Sequence, residues 1–119
     1  MRVWAPDLPS LLAEAAKGMN TLAGAAQAQD PRLKRMFEAE GLDPESLLVA
    51  FLSELIYYQE QENLAFDTFD IQLLDRRISA NMEGAPLASL SKAIKAVTYH
   101  NLKIEKTGRG LEATVVFDV

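Results

Sequence analysis

The residues best suited to chemistry lie in the last third of the chain, between Lys95 and Val119. Residues 95–100 place a lysine, a threonine, a tyrosine and a histidine within one short segment. The chain then ends on Asp118 and Val119, directly after the apolar residues 115–117. This ending predicts a terminus docked in a sheet. An acid there is either an edge residue that faces water or a ligand for something held against the sheet.

The segment 95–100 is weak evidence of chemistry on its own. In an extended strand, Thr98 and His100 would lie on one face, and Lys95 and Tyr99 on the other. A tyrosine and a histidine satisfied by hydrogen bonds at a strand edge would give the same pattern. The run Gly108-Arg109-Gly110 lacks the strand and helix context of a phosphate-binding loop and predicts a hairpin turn.

Composition removes several classes of function. A chain of 119 residues, about half of them apolar, predicts a single domain over residues 1–119. Its net charge of −5 argues against tight, direct binding to nucleic acid, because that requires clustered Lys and Arg. The absence of cysteine excludes disulfides and thiolate sites, and His100 is the single histidine. No signal peptide or membrane-length apolar run is present, so we expect a cytoplasmic protein with no membrane partner.

The sequence predicts two helices. Asp7 and Pro9 form a helix entrance, and the apolar spacing that follows stops near Gly24. Asp43 and Pro44 begin the second helix. Its broad apolar face predicts that it lies flat on a sheet, and this face comprises Leu47, Leu48, Phe51, Leu52, Leu55, Ile56 and Tyr58. Glu54 falls at the border of that face, where it is either a solvated acid or a functional candidate.

The remaining pattern is that of strands. Residues 1–6 read as the end of a strand, and residues 32–40 alternate as a half-buried strand does, although many of them favour helix. From residue 64 onward two strands are expected, joined at Asp75-Arg76. The run Gly84-Ala85-Pro86 is predicted to break the second of these strands. A loop or short helical turn would then follow over residues 87–93.

A final hairpin completes the predicted architecture. Together these elements predict an α+β fold, in which a single layer of mixed or antiparallel sheet, with about six strands, carries two helices on one face. No internal repeat, low-complexity tract or linker interrupts the chain.

Three blocks and the opening of the chain closely resemble the archease family. They are residues 47–57 (LLVAFLSELIY), residues 95–100 (KAVTYH), residues 115–119 (VVFDV) and the opening residues 2–8 (RVWAPDL). The blocks follow the family's order at similar spacing, and the resemblance covers essentially the whole chain.

The resemblance implies a specific function. Archeases assist the RtcB-type RNA-splicing ligase in tRNA splicing: they promote transfer of a guanylate from GTP to its active-site histidine, so that it turns over repeatedly. They can also broaden its nucleotide usage. Family members carry a metal site, commonly calcium, built from an Asp in an amino-terminal His-Thr-Ala-Asp-like segment, a near-terminal Asp and the terminal carboxylate. The last two positions are Asp118 and Val119 here. Such hard oxygens suit calcium, magnesium or manganese.

This sequence departs from the family pattern at its beginning. The His-Thr-Ala-Asp-like segment should precede Arg2, and the upstream Asp ligand is missing because the chain starts at Met1. We favour a start assigned to an internal methionine, because the other blocks look intact. If the segment is truly absent, two carboxylates are left to repel each other, and weak metal binding with little stimulation is expected.

The resemblance also implies roles for the other motif residues. Lys95 would reach a phosphate or an acidic group of the ligase. Thr98, Tyr99, His100 and Glu54 would support the metal site or contact the ligase, and plain structural roles stay open.

Two other classes of function compete with this one. One is a metal-dependent hydrolase or nucleotide-handling enzyme that uses Asp118, Lys95 and His100 directly, although a plausible nucleophile is lacking. Only this class predicts nucleotide turnover without a ligase. The other is a chaperone-like interaction module with a structural metal.

Overall fold

In the computed structural model, which describes residues 1–119, the chain forms two helices and nine strands. The helices are α1 (Leu8–Ala23) and α2 (Pro44–Gln61). The strands are β1 (Arg2–Ala5), β2 (Ala25–Gln27), β3 (Leu33–Glu40), β4 (Leu64–Leu74), β5 (Arg77–Leu90), β6 (Ala96–Thr98), β7 (Glu105–Thr107), β8 (Gly110–Thr114) and β9 (Val116–Asp118). Every strand pair is antiparallel, so the α+β prediction is confirmed. Neither helix combines the length and apolar character that a membrane crossing requires.

Both helices begin as predicted, with an aspartate cap followed by proline. The Asp7 carboxylate accepts a 2.8 Å hydrogen bond from the Ser10 amide, and the Asp43 carboxylate accepts one of 2.7 Å from the Ser46 amide. These bonds stabilise the charged form and hold the pKa of each carboxyl below its usual value. Helix α1 ends at Gly24, whose φ of 62° is the left-handed conformation that glycine adopts without strain.

The long strand β5 organises the larger sheet. It pairs with β4 along one edge, with β3 over residues 77–84, and with β2 over residues 87–90. The predicted strand at residues 32–40 is confirmed as β3, where half-buried and exposed residues alternate. Phe37 lies 6.3 Å from the ring of Phe51 in α2, so packing at a period of two overrides the local preference for helix.

The predicted break at Gly84-Ala85-Pro86 is wrong, because β5 continues through it to Leu90. Gly84 lies so close to β4 that a Cβ atom there would collide with the carbonyl oxygen of Ala65. The carbonyl of Pro86 accepts a 2.8 Å hydrogen bond from the amide of Ala28, a bond that needs no N–H from proline. The predicted loop therefore begins only at residue 91.

The chain has more strands than predicted because β2 lacked a sequence signal and the two arms of the final hairpin each divide. The division of the last arm occurs at Val115. Its amide donates a 2.7 Å hydrogen bond to the Met1 carbonyl, and the Met1 amino group donates one of 2.8 Å to the Val115 carbonyl. Strand β8 pairs with β1 before this point, and β9 pairs with β6 after it.

Both helices pack on the strands and contact each other. Helix α1 packs on β1 and β4, and α2 packs on β3, β4 and β6 around a core of 25 buried residues. The strands form three hydrogen-bonded groups, β1-β8-β7, β6-β9, and the larger group around β5. A single layer is compatible with this grouping and stays a prediction.

Candidate functional site

The carboxyl-terminal strand β9 is fixed by its pairing with β6. Asp118 lies opposite Ala96, and the amide of Lys95 donates a 2.7 Å hydrogen bond to the Asp118 carbonyl. In the neighbouring pair, Val97 lies in the hydrophobic core and Phe117 is partly buried against it. The predicted docking of the terminus in a sheet is thereby confirmed.

The charged groups at this strand are exposed. The side chains of Asp118 and Lys95 face solvent, and Val119 is 53% exposed. Neither charged side chain takes part in a hydrogen bond or an ion pair within the chain. The backbone pairing thus fixes the positions of two exposed charged residues, which are available for contact with a charged partner.

Asp118 and the terminal carboxylate of Val119 match a hard divalent cation in chemical type. Calcium takes about six to eight oxygen ligands, whereas two carboxylates supply at most about four. Elsewhere in the chain, no three side chains of His, Cys, Asp or Glu converge into a group that could hold a metal ion. These donors therefore fit the ion in kind and fall short of a full coordination shell.

Tyr99 and His100 lie beyond the end of β6, so the prediction that they share strand faces with Lys95 and Thr98 is wrong. The Thr98 hydroxyl accepts a 3.2 Å hydrogen bond from the His100 amide, which bends the chain into a turn. Asn101 completes the turn with a positive φ of 51°, and its side-chain amide lies 3.2 Å from Nε2 of His100. Both Tyr99 and His100 are exposed there.

The segment that follows this turn is tethered to the start of α2. The amide of Ile104 donates a 2.8 Å hydrogen bond to the Glu45 carboxylate in the first turn of that helix. Glu45 therefore anchors the segment between this turn and β7.

Glu54 lies apart from the terminal residues in its interactions. It is half-buried on α2 and makes no hydrogen bond or ion pair with any other candidate residue. The pKa of Tyr58, one turn further along α2, is raised mainly by burial and then by the negative charge of Glu54. The electrostatic effect of Glu54 thus acts on a residue of its own helix.

A second polar cluster, missed from the sequence, lies on β1, β7 and β8. The side chain of Glu112 is only 11% exposed and forms an ion pair of 2.8 Å with Arg2. Its other oxygen accepts a 3.0 Å hydrogen bond from the Thr107 hydroxyl and lies 3.7 Å from Arg109. The hydrogen bond from Arg2, followed by that from Thr107, holds the pKa of Glu112 below its usual value.

Arg109 also stacks on Trp4, with its guanidinium carbon 4.6 Å from the ring centroid. Trp4 is nevertheless 48% exposed, and it lines a groove of about 760 Å³ between β1 and α1. The alternation within residues 1–6 was the one sequence feature that could have pointed to this cluster. Arg2 and Trp4 are exposed there, while Val3 is buried.

Comparison with known sequences relates the chain to one family. The profile of the archease protein family matches residues 1–119. The archease of Methanopyrus kandleri is 31% identical over 126 aligned residues, covering 99% of this chain and 90% of that protein. The archease of Methanosarcina barkeri is 41% identical over 86 residues, covering 65% of this chain and 59% of that protein. The second match thus spans less than two thirds of the relative's length.

Solved structures share the fold. The crystal structure of an archease from Thermotoga maritima, described as a possible chaperone, superposes with a TM-score of 0.75 at 22% identity, covering 100% of this chain and 88% of that one. The solution structure of a Methanobacterium thermoautotrophicum protein gives a TM-score of 0.66 at 21% identity, with coverage of 99% and 89%. At such low identity these likenesses concern the fold alone.

Proposed function

The chain belongs to the archease family, and from this premise we propose that it is a non-catalytic activator of an RtcB-type RNA-splicing ligase in tRNA splicing. It promotes transfer of a guanylate from GTP to the ligase, which then completes repeated rounds of ligation. The observation that carries the proposal is the docked terminal strand. The Lys95 amide donates a 2.7 Å hydrogen bond to the Asp118 carbonyl, and the charged side chains of both residues are exposed.

The exposed groups would contact the ligase. Lys95 offers a compact positive charge to a phosphate or an acidic side chain of the ligase. Tyr99 and His100 offer further exposed side chains in the turn that follows β6. Because β9 is held by its pairing with β6, and the turn by the bond from His100 to Thr98, little ordering entropy would be lost on contact.

A divalent cation is part of the proposal. Calcium is the first choice, with magnesium or manganese as alternatives, and the ligands from this chain would be Asp118 and the carboxylate of Val119. When bound, the ion supplies positive charge between these two negative groups. Because the two groups alone are an incomplete ligand set, we expect the 119-residue chain to stimulate the ligase only modestly.

The local structure supports a non-catalytic role. Gly108 and Arg109 form the turn of the hairpin between β7 and β8, with no helix behind it, so this run does not build a phosphate-cradling loop. The net charge of −5 agrees with a protein that leaves the RNA to its partner. The proposal places the protein in the cytoplasm beside the ligase.

Ligation assays test the proposal. A purified RtcB-type ligase is given GTP and an excess of cleaved RNA, with and without this chain, and the product per ligase is counted. We expect more product per ligase with the chain than without it, and only a modest increase because the chain supplies an incomplete set of metal ligands. Unchanged product per ligase contradicts the proposal, as does GTP turnover by the chain alone. A chaperone-like module would instead lose stability and ligase affinity together when divalent ions are chelated.

A further inference from the structure

Strand β1 has an unpaired edge, which the function proposed above does not use. Its one partner is β8, which places β1 at the end of the order β1-β8-β7. The reciprocal hydrogen bonds between Met1 and Val115 mark a bonded pair, so the alternation of an antiparallel ladder directs Val3 toward β8 as well. The amides and carbonyls of Arg2 and Trp4 consequently point away from the sheet, where no backbone group of this chain bonds them.

The space beside this edge is a groove rather than a flat surface. Its volume is about 760 Å³, and the exposed side of α1 forms the opposite wall through Ser10, Glu14 and Lys17. Trp4 gives it an apolar contact surface, and Arg109 at 4.6 Å restrains the ring. An aromatic ring held in place before contact loses little entropy on binding.

The charges of the groove differ in sign from those of the whole chain. Arg2, Lys17 and Arg109 line it against the single acid Glu14, whereas the chain carries a net charge of −5. Glu112 offsets one of the positive charges from behind. Counted over side chains alone, one net positive charge therefore remains beside the open edge, which favours an acidic ligand.

We infer that the outer edge of β1 and its groove bind an extended acidic segment of a partner protein, which joins the sheet as an additional strand. Backbone hydrogen bonds to Arg2 and Trp4 provide the pairing, and Trp4 provides side-chain contact. A second copy of this chain is a poor occupant, since pairing β1 with β1 would bring two positively charged grooves together. Three cationic side chains are also too few to retain a nucleic acid at physiological salt.

Intrinsic fluorescence gives a direct test, because Trp4 is the one tryptophan of the chain. The probe is an end-capped peptide of alternating glutamate and valine, and its control replaces each glutamate with lysine. We expect the acidic peptide to change the tryptophan emission with saturation and to shift the amide resonances of Arg2 and Trp4. Equal binding of the two peptides, or no change up to about 1 mM peptide, overturns the inference.

A pair of variants isolates the backbone contribution. Arg2→Ala and Arg2→Pro both remove the ion pair with Glu112, but only the proline removes the amide that faces the open edge. We expect Arg2→Pro to bind the acidic peptide about tenfold more weakly than Arg2→Ala, the effect of one backbone hydrogen bond. Equal affinities for the two variants contradict strand addition.

Two further measurements keep the test decisive. If Arg2→Pro fails to fold, the wild-type chain is tested instead with a peptide whose amides are N-methylated along one edge. We expect this peptide to bind more weakly than its unmethylated form, and equal binding overturns the inference. Emission that changes with protein concentration in the absence of peptide indicates a second copy at the edge and overturns the inference.

Discussion

The amide of Lys95 donates a 2.7 Å hydrogen bond to the carbonyl of Asp118, which joins residues 23 positions apart through their backbones alone. The charged side chains of both residues stay exposed. Substitutions at either side chain can therefore change the surface charge while the pairing of β6 with β9 is retained.

Lys95→Met should lower the ligation rate supported by the chain and leave its melting temperature unchanged, because the Lys95 side chain has no partner within the chain. Lys92→Met is the matched control, since Lys92 is also exposed and bonds only through its backbone, to Ala23. Multiple-turnover ligation and thermal unfolding are measured for both variants. Equal ligation rates for the two would remove Lys95 from the proposed contact.

Calcium should bind the 119-residue chain weakly, with a dissociation constant on the order of 1 mM, because Asp118 and Val119 form an incomplete set of ligands. Asp118→Asn should weaken the binding further, whereas Asp70→Asn, at an exposed acid on β4, should leave it unchanged. Isothermal titration calorimetry measures all three. Micromolar affinity in the wild-type chain, or equal affinity in both variants, contradicts this prediction.

Glu112→Gln should destabilise the protein at neutral pH, and its deficit relative to wild type should shrink in acid. Hydrogen bonds from Arg2 and Thr107 lower the folded-state pKa of Glu112, so the stabilisation is fully present above the ordinary value of 4.5 and is lost as pH falls through the lower folded value. Melting temperatures from pH 7 downward measure the deficit. The control Glu60→Gln alters an exposed acid on α2. A Glu112→Gln deficit independent of pH would show that the lowered pKa contributes nothing.

Gly84→Ala should destabilise the fold by about 1–3 kcal/mol, because the new Cβ would press on the carbonyl of Ala65 in β4. Gly108→Ala is the control, as a Cβ there would meet no atom within 4 Å. The change at that turn should stay within about 0.5 kcal/mol. Urea unfolding measures the stability of both variants. Equal stabilities would mean that β4 moves to accommodate the new Cβ with no loss of stability.

Phe51→Ala should cost about 3–5 kcal/mol, because Phe51 is completely buried between helix and sheet. Its ring lies 6.3 Å from that of Phe37 and 5.9 Å from that of Phe69. Tyr57→Ala, at a half-exposed position of the same helix, should cost much less. A similar loss of stability in both variants would contradict the packing of α2 on β3 and β4.

Local signals accounted for much of the fold. The aspartate caps at Asp7 and Asp43 and the alternation over residues 32–40 act over a few residues, and each prediction drawn from them is confirmed. The continuation of β5 through Gly84 was missed, because it depends on flanking strands that are distant in sequence. Strand periodicity alone could not show that β6 ends at Thr98, since a side-chain hydrogen bond starts the turn there.

Part of the candidate site was likewise predictable from local sequence, and part was not. Residues 95–100 and the terminal pair Asp118 and Val119 were evident as sequence motifs. Their pairing could not be predicted locally, because it is a contact between distant parts of the chain. Arg2 and Trp4 stood out less, because only the fold brings Glu112 and Arg109 to them across the sheet.

The most direct test of the central claim compares Asp118→Asn with wild type in multiple-turnover ligation by an RtcB-type ligase. The substitution preserves side-chain size, and the Asp118 side chain has no partner in the chain, so folding should be unchanged. We expect wild type to give more product per ligase than Asp118→Asn, with equal melting temperatures. Equal product per ligase from a folded Asp118→Asn variant would contradict the claim.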